Sequence, residues 1–136
     1  MGPWAVRLYD SAGEPLVLET SPILEDGTPM PTVFWLVGKS LRQGVARIES
    51  AGGIKWVDAN IDSEEIADSH ERYRLYREKM IPEGYGGVRP YGGVGGTRKG
   101  VKCLHAHVAW HLVGGCDPVG LWSLGELERH ASKSIP

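Results

Sequence analysis

The sequence predicts an α+β fold, a small antiparallel N-terminal sheet covered by three or four helices. Three observations carry this expectation. Short β-prone runs are confined to the first third of the chain, helix-period apolar patterns with capping residues follow Ser40, and a glycine-dense stretch precedes a segment rich in cysteine and histidine. At 136 residues, with 41% hydrophobic and 24% charged side chains, the chain has the composition of an ordinary folded domain. The expected organisation is one domain: β-rich over 1–37, helical over 38–82, a glycine-rich loop over 83–100 and C-terminal helices over 101–131.

Ala5–Tyr9 and Leu16–Glu19 are joined by Asp10-Ser11-Ala12-Gly13-Glu14-Pro15, whose Gly and Pro supply turn geometry, so a β-hairpin is expected. Prolines 22, 29 and 31 then remove backbone donors and make 21–31 an extended loop. Thr32-Val33-Phe34-Trp35-Leu36-Val37 is a continuous run of β-branched and aromatic residues, which favours a buried third strand. Ser40 and Gln43 have the spacing of a capping box, with Leu41, Val45 and Ile48 on one helical face and Gly52-Gly53 as the left-handed exit. Asp62-Ser63-Glu64-Glu65 opens a second, highly charged helix that runs through Met80 and is stopped by Pro82 and Gly84.

Between Gly84 and Gly100, eight of seventeen residues are glycine, a density at which no regular element is expected. The stretch reads as a ligand-facing loop or a pliant connection. Residues 101–113 fit both a strand period and a helix period, and their length, their Ala and Leu content and the Gly114-Gly115 stop favour helix. Asp117-Pro118 reads as an N-cap followed by proline at the first helical position, starting a last helix around Leu121–His130 whose final residues fray. Trp35, Trp56, Trp110 and Trp122 read as core anchors.

Fifteen basic against seventeen acidic residues give a formal charge of −2, which lacks the positive field of a nucleic-acid-coating protein. The longest apolar stretch is far below the roughly 20 residues of a membrane-spanning helix. Met1-Gly2-Pro3-Trp4 does not open a hydrophobic leader, so the cytoplasm is the expected compartment, with Cys103 and Cys116 as thiols or ligands rather than a disulfide.

Chemistry concentrates near the C-terminus. Cys103, His105, His107 and His111 place four soft or borderline ligands in nine residues, with Cys116 close behind. On a helix, residues four apart project about 40° from each other and rise about 6 Å, so Cys103 with His107, or His107 with His111, can share an ion, while His105 faces roughly the opposite side. The expected metal ligands are Cys103, His107, His111 and Cys116, and zinc suits that donor set first. In an extended segment, Cys103, His105 and His107 would share a face instead. Two other readings stay open: an activated thiol at Cys103 with His107 as its base, and histidines that only hydrogen-bond within a polar seam. The preceding Thr97, Arg98, Lys99 and Lys102 lie before a helix start whose free N–H groups favour anions, so an anionic small molecule is the expected ligand there. The spacing is not that of a P-loop.

The run Pro31-Thr32-Val33-Phe34-Trp35-Leu36, the block from Gly92 through Cys103-Leu104-His105-Ala106-His107, and Asp117-Pro118-Val119-Gly120 together resemble one bacterial, mainly actinobacterial family, catalogued as domain of unknown function 501. The resemblance runs from about Pro31 to Trp122. It brings no catalytic residues of its own. Members of that family are often encoded beside a septum-formation initiator and an exopolyphosphatase, which implies a link to cell division or phosphate metabolism. The functional expectation is a transition-metal site beside a basic anion-binding loop, with metal-activated water hydrolysing a phosphate-type ester. Its rival is a non-catalytic module that docks a cell-division protein and keeps its histidines for structure.

Overall fold

A computed structural model of the chain describes residues 4–134; the fraying expected at the very end of the chain falls partly on residues outside that range. Strands β1 (Trp4–Tyr9), β2 (Pro15–Thr20) and β3 (Phe34–Leu36) form one antiparallel sheet in the order β1-β2-β3. The hairpin turn closes because Asp10 accepts hydrogen bonds from the Ala12 and Glu14 N–H groups through one carboxylate oxygen, while Gly13 takes a left-handed φ of 84°. The proline-rich connection that follows is pinned by an isolated bridge between Ile23 and Pro29.

Five helices, α1 (Lys39–Ser50), α2 (Gly53–Asn60), α3 (Ser63–Lys79), α4 (Leu104–Trp110) and α5 (Pro118–Ser134), cover this sheet among the described residues. Helix α1 departs from the expected capping box. It starts at Lys39 with Gly38 as N-cap and no side-chain cap, because Gly38 packs so tightly on β2 that a Cβ there would lie 2.5 Å from Leu16 Cδ1. Gly52, at φ 93°, is the expected left-handed exit, yet Gly53 at once opens α2, a helix the sequence pattern does not announce. Asp62 does cap α3, accepting the Glu64 N–H at 2.8 Å. Asp117 caps α5 in the same way, with Pro118 at the first helical position.

Helix α4 is central, packed between β3 and α5 and touching α1. Its Leu104, Val108, Ala109 and Trp110 join Val17, Phe34, Val45, Val57, Tyr73 and Val119 in one buried apolar cluster. Of the four tryptophans read as core anchors, Trp110 belongs to this cluster and the half-buried Trp122 packs against it, whereas Trp35 and Trp56 are 36% and 46% exposed. No helix of the described residues is long and apolar enough to cross a membrane.

The glycine-rich stretch is half core. Residues 86–89 are exposed, but Pro90, Gly92, Gly93 and Val94 are buried, and a single 3-10 turn forms at Val94–Gly96. Arg77, in the last turn of α3 and wholly buried, fastens it. The guanidinium donates to Gly92 O at 2.8 Å and to Pro31 O at 3.0 Å, so one side chain ties the loop to the proline-rich connection. Burial lowers its pKa below the ordinary guanidinium value. Arg77→Lys keeps the charge but cannot span both carbonyls, so a loss of about 1–3 kcal/mol in urea unfolding is expected. An unchanged midpoint would show that the fork is not needed.

Candidate metal centre

The N–H groups at the start of a helix have no partner within it, and a carboxylate is a favoured acceptor there. At α4 that acceptor is Glu49, from the last turn of α1, whose Oε2 takes the Leu104 N–H at 2.8 Å. The same oxygen lies 3.3 Å from His105 Nδ1, and the Cys103 sulfur lies 3.8 Å from that nitrogen. Cys103 is the N-cap of α4 in extended conformation (φ −151°, ψ 121°), so its side chain departs from the helical spacing of the residues after it. The three donor atoms of Glu49, Cys103 and His105 all lie within 4.8 Å of one another, and the residues are half-buried.

The second nitrogen of His105, Nε2, is 3.2 Å from the Arg42 carbonyl. A carbonyl only accepts, so Nε2 carries a proton, and Nδ1 is the ring atom turned to the thiol and the carboxylate. Burial, then the Glu49 charge, push the Cys103 thiol above its ordinary pKa, partly offset by backbone bonds from Ala106 and His105. This environment opposes the free thiolate that a metal-free activated cysteine needs.

The expected ligand set is divided. Cys103 stands at the cluster just described, but no three of Cys103, His107, His111 and Cys116 bring donor atoms within 4.8 Å of one another. His107 is 1% exposed, and its Nδ1 donates to Asp117 Oδ2 at 2.7 Å. His111 Nδ1 accepts the Asp117 N–H at 3.0 Å. Cys116 is exposed, at the left-handed φ of 52° that ends a wide π-type turn over His111–Gly115. The physical reason is the late start of α4. The Val101 N–H goes to Asp58 Oδ1 at 3.1 Å, and helix begins only at Leu104, so the stripe of Cys103, His107 and His111 never shares one regular helix. His105, on the side set aside by helical spacing, faces α1 and meets the cluster. Glu49 carries no sequence signal for this role; it is 54 positions from Cys103 (103 − 49) and reaches it only through the packing of α1 on α4.

His107 belongs to a separate buried network. Asp117 Oδ2 also accepts from Ser69 Oγ at 2.6 Å, Trp110 Nε1 donates to Ser69 Oγ at 3.2 Å, and Asp117 Oδ1 accepts the Gly120 N–H at 2.7 Å. Burial raises the pKa of Asp117 most strongly, but the bonds from His107, Ser69 and Gly120 together outweigh it and hold the carboxyl below its usual range. His107 Nε2 is buried without a hydrogen-bond partner among the described residues.

The residues expected to bind an anion lie on and just after the glycine-rich loop. Thr97 Oγ1 donates to Lys99 O at 2.9 Å, the Arg98 guanidinium sits over the Tyr91 ring at 4.9 Å, and Lys99 and Lys102 are exposed. The negative charge at the start of α4 comes from within the chain, as Glu49.

No curated protein and no solved structure matches the sequence. A family model, described as Protein of unknown function (DUF501), matches residues 6–125, a span that holds Glu49, Cys103, His105 and the His107–Asp117 pair. Since that match takes in well over half of its length, the chain belongs to this family.

Proposed function

We propose that the chain binds one divalent transition-metal ion, zinc first, through Glu49, Cys103 and His105. The observation that carries the reading is the meeting of a carboxylate oxygen, a thiol sulfur and the His105 Nδ1 atom within 4.8 Å. Bonds of about 2.0–2.3 Å at tetrahedral angles place zinc donors about 3.3–3.6 Å apart. The oxygen-to-nitrogen separation of 3.3 Å matches that spacing, and the sulfur-to-nitrogen separation of 3.8 Å is slightly wider, so a small rotation of the Cys103 side chain would close on an ion. The Arg42 carbonyl on Nε2 fixes the ring as partners of metal-bound histidines do. A cation also offsets the desolvation and the Glu49 repulsion that disfavour the Cys103 thiolate.

Three protein donors leave a fourth position for water, the pattern of a catalytic rather than a structural zinc site. Water on such an ion ionises near neutral pH, and hydrolysis of a phosphate-type ester is the reaction class we assign to it.

The test is metal content and affinity of the full chain. One equivalent of zinc per chain is expected from elemental analysis, with affinity measured against a chromogenic chelator. Cys103→Ser, His105→Gln and Glu49→Gln are each expected to weaken it at least tenfold, and Cys116→Ser to leave it unchanged. With cobalt in place of zinc, a sulfur-to-metal absorption band should vanish in Cys103→Ser. Full zinc retention in the folded triple variant refutes the site.

A further inference from the structure

Away from this cluster, α1, α2 and α5 enclose an open groove of about 1200 Å3. Its floor is apolar, built from Leu41 and Ile48 of α1, Trp56 of α2, and Trp122 and Leu127 of α5. Gly44 lets α1 and α5 approach, since a Cβ there would lie 2.6 Å from Leu127 Cδ2. Trp56 and Trp122 stack with ring centroids 4.8 Å apart and planes 12° from parallel. The stack backs one face of Trp56 while nearly half of the residue stays in water, an arrangement that lowers the ordering cost of using it as an anchor.

The rim decides what fits. Lys39, Arg47, Arg129 and His130 stand around the groove against Asp10 and Glu126. Asp10 is engaged by the N–H groups of the hairpin turn, and Glu126 pairs with Arg129 and with His130. Lys39 and Arg47 are exposed and have no acidic partner among the described residues. On a chain of formal charge −2, the groove thus carries uncompensated positive charge.

We infer that this groove docks an acidic amphipathic helical segment of a partner protein. Apolar side chains of that segment pack on Trp56, Trp122 and Leu127, and its carboxylates meet Lys39 and Arg47. Helix faces form the walls, the geometry in which a helix lays its apolar side into a groove. The 12 residues of α1 span about 18 Å, room for three turns of a guest. An aromatic and an arginine at the contact are the side chains that most often dominate such binding. The inference is independent of the metal site.

The experiment is selection of peptides from a random display library on the immobilised full chain, followed by anisotropy titration of the enriched peptides. Enrichment of sequences with Leu, Phe or Trp at helical spacing and Asp or Glu between them is expected, with affinity falling as salt rises. Trp56→Ala and Arg47→Glu, both at exposed positions, should each weaken binding at least tenfold. Exchanging one peptide carboxylate for lysine should restore binding to Arg47→Glu. The inference is overturned by no enrichment, by enrichment of basic or charge-indifferent peptides, by equal binding to the Trp56→Ala/Arg47→Glu protein, or by a groove that takes anionic vesicles or nucleotides instead.

Discussion

Replacing Asp117 by alanine should destabilise the fold by about 3–5 kcal/mol, because removing one member of a buried charged and hydrogen-bonded pair leaves the others desolvated. For a chain of this size that is a fall in Tm on the order of 10–20 °C. Three groups lose their acceptor at once: His107 Nδ1, Ser69 Oγ and the Gly120 N–H that begins α5. Asp117→Asn keeps one oxygen for the cap and should cost about half as much. The pH dependence follows from the sign of the shift. The folded pKa is depressed, so the stability this carboxylate contributes is fully present above its ordinary value near 3.9 and is lost as pH falls through the lower folded value. Calorimetry of wild type, Asp117→Ala and Asp117→Asn between pH 3 and 7 checks these statements; a shift in Tm below about 2 °C in Asp117→Ala would refute the role given to the network.

Gly93→Ala is the second large effect. A Cβ at Gly93 would lie 2.4 Å from His70 Cβ and Nδ1 and 2.7 Å from its Cα, a clash with α3 backbone and not only with the end of a flexible side chain. The imidazole is held at both ends, Nδ1 accepting the Val94 N–H at 2.9 Å and Nε2 donating to Gly100 O at 2.8 Å. Overpacking and two broken bonds together should cost about 3 kcal/mol or more in urea unfolding. Unchanged stability would show that the loop does not need His70 where the structure puts it. Burial, chiefly, lowers the His70 pKa. Its contribution is therefore present above the ordinary imidazole value of about 6.5 and is lost as pH falls toward the folded value. His70→Gln should flatten that part of the pH profile; an unaltered slope would assign it elsewhere.

These two sites show where sequence reasoning stops. Helical termini are local chemistry, so Asp62 and Asp117-Pro118 announce α3 and α5, and Gly13 in its Asp-led turn announces the hairpin. Gly52-Gly53 defeats the same reasoning. One glycine ends α1 and the other begins α2, and only the contact of Gly53 with Ile48 and Leu104 separates the two uses. The glycine run misleads in a similar way. A high glycine content reads as mobility, whereas Gly93 is glycine because His70, 23 positions earlier (93 − 70), occupies the space a side chain would take.

By itself the sequence determined the α+β architecture, the succession of strands and most helices along the chain, the family, and the concentration of sulfur and imidazole near the start of α4. Tertiary structure alone decided which of those groups meet. Helical spacing follows from torsion angles that each residue and its neighbours set, so it can be counted along the chain. The convergence of Glu49, Cys103 and His105 depends on where α1 docks and on a helix that starts at Leu104 rather than earlier. Both are outcomes of packing between segments more than forty residues apart, which no local pattern encodes.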